Sequence, residues 1–193
     1  MEYKNRNEIR SISIQGGVVD EREGILGSTF SGAFGLATSS TLFGGLELIG
    51  QLGELEARGS FFIGKSNSKI KQESLFNSID DFTSSSFELG FYKKGVFSQS
   101  DNIGFIVDQP LRIEQAEMGL SVPYRRTKDK EVLFKDIQLD MAPESRQFNA
   151  EVVYEENNKA FGLSGRLGFS KNQNHIQANK IEPYFFIDFE FTL

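Results

Sequence analysis

The 193-residue chain contains no cysteine and no tryptophan, only one histidine and four prolines. Without cysteine there is no disulfide, no thiolate metal site and no cysteine nucleophile. The single histidine, His175, excludes a zinc site built on several imidazoles. The formal net charge is −6, so the chain lacks the basic excess that marks nucleic-acid binding. With neither a linker nor an internal repeat, the sequence indicates one domain over 1–193.

Long apolar runs are absent as well. None approaches the roughly 20 residues of a membrane-spanning helix, and the charged first ten residues do not form a signal peptide. The chain is then either a cytosolic protein or part of a longer exported one. A mean hydropathy of −0.33 still permits a membrane protein, because strands of outer-membrane barrels alternate apolar and polar residues.

Phenylalanine and glycine, in contrast, are abundant, with 19 residues of each. Apolar and polar residues alternate with a period of two along almost the whole sequence, and no useful segment follows the helical period. This alternation predicts an all-β fold of about eleven antiparallel strands, most of them about 8–11 residues long. The long connection 65–84 remains open as an external loop, a short helix or another strand.

The candidate strands carry one apolar and one charged face, which has two physical interpretations. In an outer-membrane barrel the apolar face contacts lipid and the charged face lines a wet lumen. In a soluble barrel or sandwich the apolar face points inward instead. Strand length favours the membrane, since spanning strands need about 9–11 residues and globular strands average about 5–6. The missing tryptophan favours the soluble form, because the interfacial girdles of membrane barrels use it.

The membrane interpretation assigns the residues with the clearest alternation to one side of the sheet. The expected lumen-facing polar residues are Glu54, Glu56, Arg58, Asp108, Asp140, Glu151, Arg166, Asp188 and Glu190. The expected lipid-facing residues are Leu55, Phe61, Phe87, Leu89, Phe185, Ile187, Phe189 and Phe191. Mixed carboxylates and guanidinium groups are more typical of a mutually neutralised lumen than of a catalytic pair. We therefore expect no catalytic residue, no cofactor and no metal.

Four segments in the second half of the chain follow one another in a recognisable order. They are 84–97 (SSSFELGFYKKGVF), 101–113 (DNIGFIVDQPLRI), 116–123 (AEMGLSVP) and 139–154 (LDMAPESRQFNAEVVY). Together they resemble the C-terminal translocator region of subtilisin-like serine protease autotransporters from Gram-negative bacteria. The resemblance is strongest over 84–193, whereas 27–63 matches by pattern alone.

The resemblance implies a transmembrane β-barrel of about twelve strands in the bacterial outer membrane. Such a barrel contacts outer-membrane lipid, is assembled by the barrel assembly machinery, and anchors and exports an N-terminal passenger by type V secretion. The family's protease site lies in that passenger, so this chain is not expected to be an enzyme. Bacterial single-chain barrels close with an even strand count, so one strand is either hidden in 65–84 or encoded upstream of Met1.

Two alternatives from other classes remain open. One is a soluble lipocalin-like barrel that binds an apolar ligand in its interior. The other is an outer-membrane enzyme, which would need a Ser–His or acid–base pair in contact. Three local elements have a structural interpretation: 109–112 as a strand end, because proline cannot donate to a ladder, 142–146 as a tight turn, and His175 as a surface-turn residue.

Overall fold

The computed structural model describes residues 7–157, 161–178 and 180–191. Their regular structure is strand apart from two single-turn 3-10 helices, Gly32–Phe34 and Gln173–His175. All strand pairs are antiparallel. The predicted all-β, antiparallel fold class is thus confirmed.

Thirteen strands lie within the described residues. They are β1 Asn7–Arg22, β2 Gly24–Ile25, β3 Ser28–Thr29, β4 Leu36–Leu52, β5 Leu55–Ile70, β6 Phe76–Ile79, β7 Phe82–Lys94, β8 Asp101–Gln115, β9 Glu117–Arg126, β10 Val132–Asp140, β11 Phe148–Asn157, β12 Phe161–Lys171 and β13 Ile181–Phe191. The connection 65–84 therefore contains a further strand, β6, between the end of β5 and the start of β7. None of the described helices is long and apolar enough to cross a membrane.

Eight strands form one large sheet in the order β1-β4-β5-β7-β8-β11-β12-β13. A three-stranded sheet, β10-β9-β6, and a two-stranded sheet, β2-β3, hold the others. No sheet is closed in the described part of the chain, and β1 and β13 are the free edges of the large sheet. Fewer strands enter the large sheet than the alternation suggested, because a period of two does not reveal which sheet a strand joins.

The two ends of the large sheet are connected differently. At one end, here called the turn end, β4 joins β5 through Gly53 and Glu54, and β1 begins where Asn7 pairs with Leu52. At the other end the connections are long and contain all the strands of the two small sheets. We call this end the cap; it consists of the connections 23–35, 71–81, 116–147 and 172–180.

The main hydrophobic core lies where the cap meets the large sheet. Its buried members are Ile25, Leu36, Phe76, Phe82, Ala116 and Met118. The rings of Phe30 and Phe34 contact the Phe76 ring at centroid distances of 6.4 and 5.6 Å. The total accessible surface is 13764 Å², whereas a compact monomer of 21.7 kDa exposes about 9,200 Å². Most of the large sheet is therefore not covered by the chain itself.

Aromatic rings lie over glycines in the large sheet. Phe62 in β5 is directly opposite Gly45 in β4, and a Cβ added at Gly45 would overlap its ring. Tyr184 covers Gly168 in the same way. A glycine here provides the space that the flat ring fills.

We expect Gly45→Val to destabilise the fold by about 1–3 kcal/mol, because the Phe62 ring must leave its place. The free energy of unfolding, followed in urea by circular dichroism, measures this. Gly44→Val is the matched control, since the nearest atom to a Cβ there is a backbone oxygen 3.9 Å away. Equal losses in the two variants would contradict the packing explanation.

Candidate functional site

Cross-strand pairing shows which residues share a face of the large sheet, because directly opposite side chains point to the same side. Arg58 pairs with Gly90, Gly90 with Ile106, and Ile106 with Glu151. Parallel rows of pairs connect the remaining strands. This face, here called the polar face, contains most of the expected lumen residues: Glu56, Arg58, Asp108, Glu151, Arg166, Asp188 and Glu190.

Two expected lumen residues lie elsewhere. Glu54 is in the turn between β4 and β5, where Lys93 Nζ donates to its carboxylate at 2.8 Å and lowers the pKa of Glu54. Asp140 ends β10 in the three-stranded sheet, and its Oδ1 accepts a hydrogen bond from the backbone N–H of Ala142 at 2.8 Å. Both fit the alternation, which does not reveal where a strand ends or which sheet it joins.

The opposite face of the large sheet, here called the apolar face, is exposed. Leu89 is 44% exposed and Phe61 48% exposed, and Phe185 on the edge strand reaches 68%. Leu55, Phe87, Ile187 and Phe189 also lie here, with Phe87 half-buried. The side chain of Phe191 is outside the described part of the structure. Further apolar residues of the alternating strands extend this face across the sheet: Ile12, Ile14, Leu46, Leu48, Phe105, Val152, Leu167 and Phe169.

Some charged side chains on the polar face are paired, and the Glu151 side chain is also buried. Glu151 is only 8% exposed, and its carboxylate accepts from Arg166 at 3.4 Å and from the Tyr184 hydroxyl at 3.3 Å. The Arg58 guanidinium lies 2.6 Å from Glu56. Its Cζ also lies 4.5 Å from the centroid of the Tyr92 ring. An apolar face this widely exposed is the reverse of what a globular protein in water shows.

A network of polar side chains forms at the cap end of β7 and β8. We call it the junction; it consists of Ser85, Gln109, Arg112, Glu114 and Arg146. Arg146 donates to both Glu114 oxygens, at 2.8 and 2.7 Å, and to Gln109 Oε1 at 2.5 Å. Arg112 and the Ser85 hydroxyl also donate to Glu114. One carboxylate therefore holds two guanidinium groups, and such charge-assisted bonds are the strong ones in proteins.

The junction joins the two motif elements that the sequence suggested were a strand end and a tight turn. Arg112 donates to the backbone oxygens of Pro143 at 2.6 Å and Ser145 at 3.2 Å. Gln109 is 1% exposed, beside a register shift between Ser85 and Phe87. Segment 109–112 therefore lies inside β8 and is not the strand end that the sequence predicted, because Pro110 falls at the bulge opposite β7, where a proline is tolerated. Segment 142–146 lies in the connection between β10 and β11. Both take part in one network. Glu114 is not among the site residues that the sequence predicts. The available signal was its spacing of two residues from Arg112.

His175 is buried, contrary to its interpretation as a surface-turn residue. It is 8% exposed. Its Nδ1 accepts from the backbone N–H of Gln147 at 3.0 Å, and its Nε2 lies 3.0 Å from the Leu111 backbone oxygen. These partners select the neutral tautomer protonated on Nε2, because an amide only donates and a carbonyl only accepts. The polar neighbours of His175 in sequence hid this contact, since Leu111 is 64 residues away.

We expect His175→Ala to destabilise the cap by about 1–3 kcal/mol, since the Gln147 amide and the Leu111 carbonyl lose their partner. Hydrogen exchange at the amides of Ser145 and Gln147 measures this locally. Gln177→Ala, an exposed change in the same connection, should leave both amides protected. Unchanged exchange in the histidine variant would contradict a structural role for the imidazole.

Exposed ion pairs hold the cap connections to each other and to the large sheet. Lys71 Nζ lies 2.5 Å from Glu23 and Lys65 Nζ lies 2.8 Å from Asp81. Hydrogen bonds from these lysines lower the pKa of each carboxyl group. Both pairs are exposed, so their contribution to stability is small.

In comparisons with family models, curated proteins and solved structures, nothing matches the chain. The described residues contain no group of three or more histidines and carboxylates that could hold a metal ion. Both nitrogens of His175 bind backbone groups, which leaves no acceptor for a neighbouring serine. The candidate functional site is thus the large sheet with its two faces, together with the junction at its cap end.

Proposed function

We propose that the chain forms the wall of an outer-membrane β-barrel of the autotransporter translocator type, which anchors and exports a passenger joined to its N-terminus. The observation that carries the proposal is the exposed apolar face, which runs across the strands of the large sheet. Patches larger than a few hundred Å² on soluble monomers mark interaction or membrane surfaces. Lipid covers such a face without further protein.

The dimensions of the apolar face suit a bilayer. On β5 it runs over 55–63, which spans roughly 27 Å at the usual rise of a strand. The outward apolar band of outer-membrane barrels is about 25 Å tall. Within the sheet, backbone groups are paired strand to strand, as a lipid environment requires. The polar face then lines the lumen.

Strand direction supports closure of this wall. Eight antiparallel strands place β1 and β13 in opposite directions, so the two free edges suit antiparallel pairing with each other or with added strands. An eight-stranded barrel has an interior that its own side chains fill. Export of an unfolded passenger therefore requires additional strands between β1 and β13, in line with the larger barrel that the resemblance implies.

Membrane extraction tests the anchoring. We expect the chain, expressed behind a signal peptide in a Gram-negative host, to stay with the outer-membrane fraction after carbonate treatment and to leave it only in detergent. Release by carbonate as a soluble monomer would contradict the proposal. The lipocalin-like alternative would then be tested by binding of an apolar fluorescent probe.

Export is tested separately. A reporter peptide fused ahead of residue 1 should become sensitive to added protease on intact cells. A chain carrying the same reporter after residue 193 serves as the control for leakage. If the chain is in the outer membrane and the N-terminal reporter stays protected, anchoring stands and the translocator role fails.

A further inference from the structure

One row of residues on the polar face contains a polar side chain from each strand of the large sheet. We call this row the belt. Its members, in the order of the strands, are Ser13, Glu47, Ser60, Glu88, Asp108, Asn149, Ser170 and Glu182. Half of the belt is carboxylate, and none of it is basic.

The belt is electrostatically unfavourable as a purely structural element. Glu88 lies directly opposite Asp108 in the ladder, and like charges in directly opposite positions destabilise a sheet. Asp108 accepts a hydrogen bond from Asn149 at 3.0 Å. Within the described residues, no lysine or arginine forms an ion pair with any of the four belt carboxylates.

The nearest cations of the polar face are already engaged. Arg58, one row away, borders the same cleft of about 290 Å³ as Glu47 and Glu88. Its guanidinium, however, is bonded to Glu56 and stacked on Tyr92. Arg166 pairs with Glu151. The negative charge of the belt is therefore left for mobile ions to balance.

A buried hydroxyl in the belt points to the same conclusion. Ser170 is 5% exposed, and among the described residues its Oγ has no hydrogen-bond partner. Buried polar groups are normally satisfied by protein or by water. Ser170 lies opposite Asn149 and Glu182, so a hydrated species along the belt would satisfy it.

We propose that the belt makes the lumen of the larger barrel, closed by additional strands between β1 and β13, a cation-selective aqueous pore. This inference rests on the proposed membrane function and adds to it the class of solute that passes, small monovalent cations. Rings of aspartate and glutamate select cations in channels, because the local potential concentrates counter-ions and excludes anions. A passenger segment with basic side chains would be favoured by the same potential.

Ion selectivity in planar bilayers tests the belt. The full chain is refolded into vesicles of neutral phosphatidylcholine and fused to a bilayer across a KCl gradient, and the reversal potential gives the permeability ratio of K⁺ to Cl⁻. We expect the ratio to exceed one several-fold. It should approach one in the variant Glu47→Gln, Glu88→Gln, Asp108→Asn, Glu182→Gln.

A matched control separates the belt from total charge. The variant Glu73→Gln, Asp129→Asn, Glu131→Gln, Glu144→Gln loses equal charge at exposed positions of the cap and should retain the selectivity. The single change Glu88→Lys replaces an exposed side chain. It should lower the permeability ratio further than Glu88→Gln.

Each outcome decides one point. A protein that carbonate strips from the vesicles refutes the membrane function, and this inference with it. An inserted protein that does not conduct refutes the open lumen, and with it both the export function and this inference, while anchoring stands. An inserted protein that conducts without preference, or whose preference survives neutralisation of the belt, refutes the inference alone.

Discussion

Replacing Leu89 by arginine is expected to lower the free energy of unfolding from a lipid bilayer by about 2–4 kcal/mol. Leu89 lies near the middle of the apolar face, opposite Gly59 and Val107, and is 44% exposed. If hydrocarbon covers this face, the guanidinium has to be desolvated or the bilayer has to thin around it. Titration with guanidinium chloride in vesicles, followed by circular dichroism, measures the loss.

Depth dependence distinguishes lipid from a protein interior. Phe189→Arg changes a residue of the same face close to the turn end, where Phe189 pairs with Leu163 near the start of β12. Near an interface the cost of such a charge falls to about 0–1 kcal/mol. Equal costs at the two positions would argue against a bilayer around the sheet. Folding of Leu89→Arg in water without lipid would argue against it more directly.

The faces of the large sheet could be predicted because side chains of a strand alternate strictly. That rule placed Glu56, Glu151 and Arg166 on one side without any knowledge of which strands pair. Membership of a sheet could not be predicted, since Asp140 alternates as well as Asp108 does but ends a strand of the cap. Ladder partners depend on contacts far apart in sequence, which a local pattern does not contain.

The junction could be predicted from the sequence only in part. Segments 109–112 and 142–146 lie within the motifs of the resemblance, but the contact between them could not be predicted. Arg112 binds the carbonyls of Pro143 and Ser145, which lie more than thirty positions away in sequence. His175 looked exposed because its sequence neighbours are polar. Its burial depends on the docking of one connection against β8, which no pattern in residues 171–178 specifies.

Removing the carboxylate of Glu114, at the end of β8, should destabilise the cap more than any other single change considered above. Glu114→Ala leaves two guanidinium groups, those of Arg112 and Arg146, without their shared counter-ion. Breaking a fully buried pair costs about 3–5 kcal/mol. The Glu114 side chain is 27% exposed, so we expect roughly 2–3 kcal/mol after solvent screening. Urea unfolding gives the total, and hydrogen exchange at Ser145 locates the loss in the cap.

The size of the loss in partner variants shows whether the network acts as a unit. Glu114→Gln retains an acceptor oxygen without the charge and should lose less than Glu114→Ala, because both guanidinium groups keep a hydrogen bond. Glu114→Ala combined with Arg146→Met should cost less than the two changes added, since residues in one network are coupled. Glu117→Ala, an exposed change at the start of β9, should be nearly neutral. Additive losses would mean that the two motif elements are held together by something other than this carboxylate.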